Sequence, residues 1–344
     1  MMINSSFYIG AFWLAFGVAA VFAWPVYKML LALQSRQTVS AFAPETHQVK
    51  QGTPTMGGLI IVAGVLPVLI WHILLPAFRG FGDKPYSNGS SEWSVAALVV
   101  FLGFALIGFT DDFLVPRLFP GTRGLGWKQK LLMQVVVGAV AAWLLTGAFG
   151  VAAAWTLFTV LFFANAFNFV DGLDGLAATV LLSLASGLMI LGSIRGYNTL
   201  QAPAMMALAG ATIPFLFLNA PPAKLFMGDV GSLPIGALLG LAVSWLAFIP
   251  GHALGNLVSD AEMLASLAIL SLVMVAEIVP VPLQIFWVKV FKKRLFPYTP
   301  IHHAFEKAGW KETRVVALFA LIQFILMMLA ITMPALSANA RTEF

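Results

Sequence analysis

Apolar runs of about 20 residues recur along this chain from one end to the other. That is the length a helix needs to cross the hydrocarbon core of a bilayer. In such a solvent each backbone polar group must be satisfied within its own segment or in a closed barrel, and these runs are about twice as long as barrel strands. With 60% hydrophobic and 10% charged residues, the chain is not an ordinary soluble domain. We predict an all-α, polytopic integral membrane protein with about ten transmembrane helices, at residues 7–30, 56–78, 93–112, 130–147, 151–169, 176–195, 202–219, 232–250, 263–290 and 314–335. No long polar stretch separates them, so residues 1–344 read as one transmembrane domain. The first run is long for a signal peptide and lacks a basic leader, and it is read as a retained helix.

Lys and Arg set the orientation. Of 19, only Arg79, Lys84, Arg195 and Arg341 lie on the side of the even-numbered loops, which leaves 15 (19 − 4) on the other. This split predicts odd-numbered loops in the cytoplasm and both termini outside, in the periplasm. The +5 net charge then follows from topology and does not suggest a nucleic-acid partner. There is no cysteine, so disulfides and thiolate metal sites are excluded. No internal repeat is visible, which weakens a repeat-built transporter.

Five aspartates lie at the ends of apolar runs: Asp111 and Asp112 in IGFTDDF, Asp171 and Asp174 in NAFNFVDGLDGLA, and Asp229 in FMGDVGS. Carboxylates at the membrane are costly and face wet or functional interiors. If the spans alternate, all five share one face. Asp111-Asp112 are expected to end the third span, where two negative groups oppose the helix dipole and call for a metal or a cation; Arg117 as a simple counter-ion is the bland alternative. Asp171 and Asp174 would share a helical face, although a cap explains one of them. Asp229 or Ser232 could each cap the eighth span.

Three further segments stand out. HQVKQGTPTMGG (47–58) could offer backbone N–H groups, hydroxyls and Lys50 to phosphate, although it lacks the P-loop pattern. PIHHAFEKAGWKE (300–312) follows a basic run. Its adjacent His302 and His303 diverge by about 100° on a helix, so they suit hydrogen bonds to phosphate or sugar better than chelation of one ion. A basic loop facing anionic membrane lipids is the alternative. Glu277 lies in the ninth span beside Pro280 and Pro282, which should kink it. It could pair with a lysine of the site or satisfy freed backbone groups.

Carboxylates, Lys, Asn and glycine turns on one face suit Mg²⁺, which takes oxygen ligands together with substrate phosphates, and they suit phosphoryl transfer. The predicted site is built from loops 31–56, 111–130, 165–177, 220–232 and 291–313.

These five motifs, in order over about residues 28–335, resemble the signatures of the phospho-N-acetylmuramoyl-pentapeptide-transferase family, within the polyprenyl-phosphate N-acetylhexosamine-1-phosphate transferases. The family usually has a third consecutive histidine where this chain has Ala304, and commonly Leu and Thr where it has Phe169 and Val170. The resemblance implies Mg²⁺-dependent transfer from UDP-N-acetylmuramoyl-pentapeptide to undecaprenyl phosphate, giving lipid I and UMP, at a bacterial cytoplasmic (inner) membrane. It implies Asp229 as the main metal ligand, with Asp111 and Asp112 beside the metal and the lipid phosphate and Asp111 as base. It places Phe226 and neighbouring Gly228 against uracil with Gly172, Leu173 and Asp174, and puts Asn165, Asn168, Asp171 and Thr55 around the nucleotide-sugar. Lys50, Lys130, His302 and His303 would touch phosphate or sugar. Family likeness alone suggests a homodimer. The rival readings are an N-acetylglucosamine-1-phosphate transferase, which GTPTMGG and PIHHAFE oppose, a secondary transporter, which should carry acids near the midplane, and an inactive scaffold.

Overall fold

The computed structural model describes residues 2–33, 52–78, 90–122, 124–195, 201–248 and 260–342. All of its regular elements are helices: α1 (Met2–Ala32), α2 (Gly58–Phe78), α3 (Ser90–Phe109), a π turn (Thr110–Leu114), α4 (Val115–Leu118), α5 (Trp127–Thr146), α6 (Val151–Val170), α7 (Leu176–Ile194), α8 (Ala202–Asn219), α9 (Asp229–Phe248), α10 (Asp260–Leu270), α11 (Leu272–Ile278), α12 (Pro280–Phe291), α13 (Ile301–Lys307) and α14 (Glu312–Thr342). Among the described residues nine helical stretches are long and apolar enough to cross a membrane, and α2 adds a shorter apolar stretch, Gly58–Leu74. Each of the ten expected spans coincides with one of them.

Two spans differ from expectation. The third does not end at the aspartate pair; it runs through the π turn to Leu118. The ninth is three helices. Ser271 interrupts it, with its hydroxyl donating to the Leu267 carbonyl at 2.7 Å. Pro280 restarts it as α12, but Val279 between them keeps α-helical torsions, so the expected break at the proline does not occur.

The centre of the bundle is α9, buried along most of its length between α6, α3, α2 and α7. Lipid supplies no hydrophobic drive between helices, so close backbone approach and polar contacts must hold them together. On α9 both devices are present. A Cβ on Gly236 would lie 2.3 Å from the Phe163 carbonyl oxygen, and one on Gly240 would lie 2.4 Å from that of Thr159. The two glycines, four residues apart, therefore let α9 rest on the backbone of α6. Further along the seam Thr156 and Ser244 share a hydrogen bond of 2.7 Å. The outer helices α5, α12 and α14 instead turn large apolar side chains outward, among them Leu132, Phe286 and Phe324.

Candidate active site

The π turn puts one extra residue into the turn that carries both acids, and such bulges often mark functional sites. Both carboxylates have partners. Asp111 accepts the Leu125 N–H on Oδ1 at 2.6 Å and the Lys130 ammonium on Oδ2 at 3.0 Å. Asp112 accepts the Val230 N–H on Oδ2 at 3.0 Å. That last bond joins the π turn to the first turn of α9, whose N–H groups favour an anion.

Asp229 is the first residue of α9. Its Oδ2 takes the Lys130 ammonium and its Oδ1 takes the Asn168 amide at 2.7 Å. The same Asn168 nitrogen donates to Ser232 Oγ at 2.8 Å, so the end of α6 fixes both residues. Glycines allow this crowding. A Cβ on Gly108 would sit 2.2 Å from the Asp229 carbonyl oxygen, and one on Gly58 would sit 2.2 Å from Gly231 Cα. Gly228 has φ +72°, and a Cβ there would also meet Asp112 Oδ2 at 2.6 Å and Thr55 Oγ1 at 2.8 Å. One oxygen each from Asp111, Asp112 and Asp229 lies within 4.8 Å of the others. Three convergent carboxylate oxygens fit a hard divalent cation such as Mg²⁺, which leaves its other positions to water and phosphate.

Asp171 follows α6 and accepts the Gly228 N–H. Burial, with the Asp229 and Asp112 carboxylates nearby, pushes its carboxyl well above the usual range in spite of that bond. Four of the five aspartates thus meet at one end of α9.

Other expected site residues take supporting positions. Asp174 is buried; its Oδ2 holds the Ala223 N–H at 2.9 Å, and its own N–H donates to Glu312 at 2.7 Å. It braces the 220–228 loop. Asn165 lies one turn before Asn168 and donates to Gln134 Oε1 at 2.9 Å, which ties α6 to α5 and takes it away from the carboxylates. The Gly57 and Gly58 N–H groups, expected to face phosphate, are taken up by the Phe226 and Met227 carbonyls at 2.7 and 2.8 Å. Phe226 N–H returns a bond to Pro54 at 2.9 Å, so this segment is a clamp on the loop that presents Phe226. Thr55 stays beside Gly228, at the rim of the carboxylate cluster. Lys50 lies outside the described residues.

The histidine rings, expected to diverge, instead lie 4.2 Å apart, centroid to centroid, at 59°, and only their partners differ. His302 is fully buried and is held by Glu277, whose carboxylate contacts Nδ1 at 2.9 Å and the His302 N–H at 3.2 Å. Its ring lies under Gly172: a Cβ there would be 2.3 Å from Nε2. His302 therefore lies under the turn from Asp171 to the buried Leu173 and supports it. His303 is partly exposed and paired with Glu306 at 2.7 Å. The Glu277–His302 pair is the contact that the sequence did not reveal. The buried carboxylate in an apolar span was a signal, but nothing local named its partner.

Comparison with known proteins gives a consistent picture. The glycosyl transferase family 4 model matches residues 94–247. The phospho-N-acetylmuramoyl-pentapeptide-transferase signature 1 matches residues 50–62. Curated proteins of that name are similar over nearly the whole chain. The one from Brachyspira hyodysenteriae is 33% identical over 382 residues, covering 94% of this chain and 91% of its own. The one from Clostridium perfringens (strain 13) is 32% identical over 333 residues, covering 92% and 95%. The one from Caldanaerobacter subterraneus is 33% identical over 332 residues, covering 91% and 94%.

Proposed function

Since this chain belongs to the phospho-N-acetylmuramoyl-pentapeptide-transferase family, we propose that its carboxylate cluster transfers phospho-N-acetylmuramoyl-pentapeptide from the UDP-linked donor to undecaprenyl phosphate. The protein is a multi-pass membrane transferase of peptidoglycan synthesis. An oxygen of the lipid phosphate bonds to the phosphorus next to the sugar. The bond from that phosphorus to the bridging oxygen breaks, and the oxygen leaves with UMP. The products are lipid I and UMP.

The observation that carries this reading is the meeting of Asp111, Asp112 and Asp229 with Lys130 and Asn168 at one end of the bundle. Asp229, with Asp111 and Asp112, would hold Mg²⁺, which when bound neutralises phosphate charge. Asn168 orients Asp229, and Lys130 places its ammonium at the same spot. Phe226, presented by its clamp, would stack on uracil next to Gly228, with Gly172 and Leu173 adjacent and Thr55 and Asp171 along the nucleotide-sugar. His303 would reach the donor's phosphate or sugar. A lipid phosphate monoester is mostly dianionic at pH 7, so it can attack without a base. Both Asp111 oxygens are already engaged, which supports a holding role for Asp111.

The 15 to 4 split of Lys and Arg supports a cytoplasmic position for this end in a bacterium, with both termini in the periplasm. The lipid tail would lie along the α11–α12 segment, whose Leu272, Val275, Leu283 and Phe286 are exposed. The test is UMP release from UDP-N-acetylmuramoyl-pentapeptide by the purified protein. Release should require undecaprenyl phosphate and Mg²⁺ and should fail with UDP-N-acetylglucosamine. Release from the latter alone would reassign the substrate.

A further inference from the structure

Lys130 was expected to meet phosphate. Its ammonium instead bridges Asp111 Oδ2, at 3.0 Å, and Asp229 Oδ2. All three side chains are largely enclosed, at 21%, 14% and 17% exposure. The bridged carboxylates, Asp111 and Asp229, are two of the three that converge within 4.8 Å. Three carboxylates this close repel one another, and among the described residues Lys130 is the cation bonded to two of them, Asp111 and Asp229. It lies between two of the carboxylates that would hold a divalent ion. An ammonium and a divalent ion at the same spot would repel each other and compete for these carboxylates.

We propose that Lys130 is a placeholder for the metal. In the metal-free enzyme its ammonium holds Asp111 and Asp229 in register, and loading of the divalent ion expels it. This rests on the reading that these aspartates hold Mg²⁺. The lysine stem is flexible, and Lys130 is anchored in the first turn of α5, so the expelled ammonium stays within a side-chain length of the cluster. It is then free to meet a phosphate oxygen beside the metal. Occupation of the cluster and delivery of the lysine to phosphate become one event, and an empty site keeps its acids paired and ordered.

The test is a titration of detergent-purified, full-length protein with Mn²⁺, which accepts the same oxygen ligands, followed by the electron paramagnetic resonance of the free ion, with no substrate present. Removing a positive charge from among the ligands should tighten Mn²⁺ binding about tenfold or more in Lys130→Met. Lys130→Gln, also neutral, should do the same. Lys130→Arg should stay near the wild type. In metal-free buffer both neutral variants should melt below the wild type, and Mn²⁺ should raise their melting temperature more than it raises the wild type's. Asp229→Asn should abolish the tight site in every background.

Unchanged or weaker Mn²⁺ binding in both neutral variants, with the Asp229 dependence intact, would overturn the placeholder alone. Binding that ignores Asp229→Asn would overturn the metal assignment and the placeholder with it. A neutral variant that melts like the wild type without metal would overturn the holding role.

Discussion

Replacing Gly108 with alanine should disable the site while leaving the fold in place. The new Cβ would fall 2.2 Å from the Asp229 carbonyl oxygen and 2.3 Å from its carbon, where ordinary contact begins at 3.4 Å. Both partners are backbone, so neither can swing away. The end of α3 and the start of α9 must part by about 1 Å. Overpacking of this kind costs about 1–3 kcal/mol, which a bundle this size tolerates. The functional cost is larger, because the wedge acts between the two elements that carry the acids. It stretches the 3.0 Å bond from Val230 N–H to Asp112 and draws Asp111 and Asp112 away from Asp229. Misplacement of about 1 Å among reacting groups can cost about 10²-fold in rate. The assay is steady-state UMP release, with thermal unfolding of the same preparations. We expect kcat to fall about 100-fold while the melting temperature falls by a few degrees. Gly17→Ala, where a Cβ meets nothing within 4 Å, is the control and should change neither. Turnover by Gly108→Ala within about twofold of the wild type would refute the claim that glycine contacts set the carboxylate geometry.

Three further outcomes follow from named contacts. If Asp111 were a base it would matter most while the lipid phosphate keeps a proton, so Asp111→Asn would cost less at pH 8 than at pH 6. Because Leu125 N–H holds one of its oxygens, and Lys130 or the metal that displaces it would hold the other, we expect an equal loss at the two pH values, and a loss confined to pH 6 would restore the base. The carboxyl of Asp171 is held above its unfolded value, so its ionisation destabilises the fold as pH rises. In metal-free buffer Asp171→Asn should therefore melt above the wild type by a margin that grows from pH 5 to pH 8, and a constant margin would contradict this. Glu277→Ala orphans two buried groups of His302, at about 1–3 kcal/mol each. The melting temperature should drop and KM for the donor should rise as the Gly172 turn loosens; if neither moves, the support role fails.

Much of the architecture is legible in the chain because bilayer thickness dictates helix length, and nothing but composition is needed to find the spans. The gathering of Asp111, Asp112, Asp171 and Asp229 is legible too, from alternation and the cost of membrane acids. What sequence could not supply are contacts set by shape. The π turn differs from an α-helix by one inserted residue and has no marker of its own, so the aspartate pair read as a helix end. Asn165 and Asn168 look equivalent, yet one turn of helix sends the first to Gln134 and the second to Asp229. The glycines of 57–58 look like a phosphate cradle because free N–H groups and taken ones have the same sequence; only the nearness of Phe226 and Met227 tells them apart. Glu277 and His302 are separated by α12 and a whole loop, beyond the reach of any local pattern.

The seam between α6 and α9 has a mechanical consequence. Where glycine meets backbone, at Gly236 and Gly240, there are no rotamers to exchange and so no soft degree of freedom. The two helices are therefore expected to move as one shaft, with Asn168 and Asp229 bonded to each other at its tip. Whatever travel is required to admit a long-tailed acceptor and let a nucleotide depart must therefore come from parts hinged onto that shaft. Those are the stretch from the π turn to α5, and the jointed α11–α13 arm that carries the histidines.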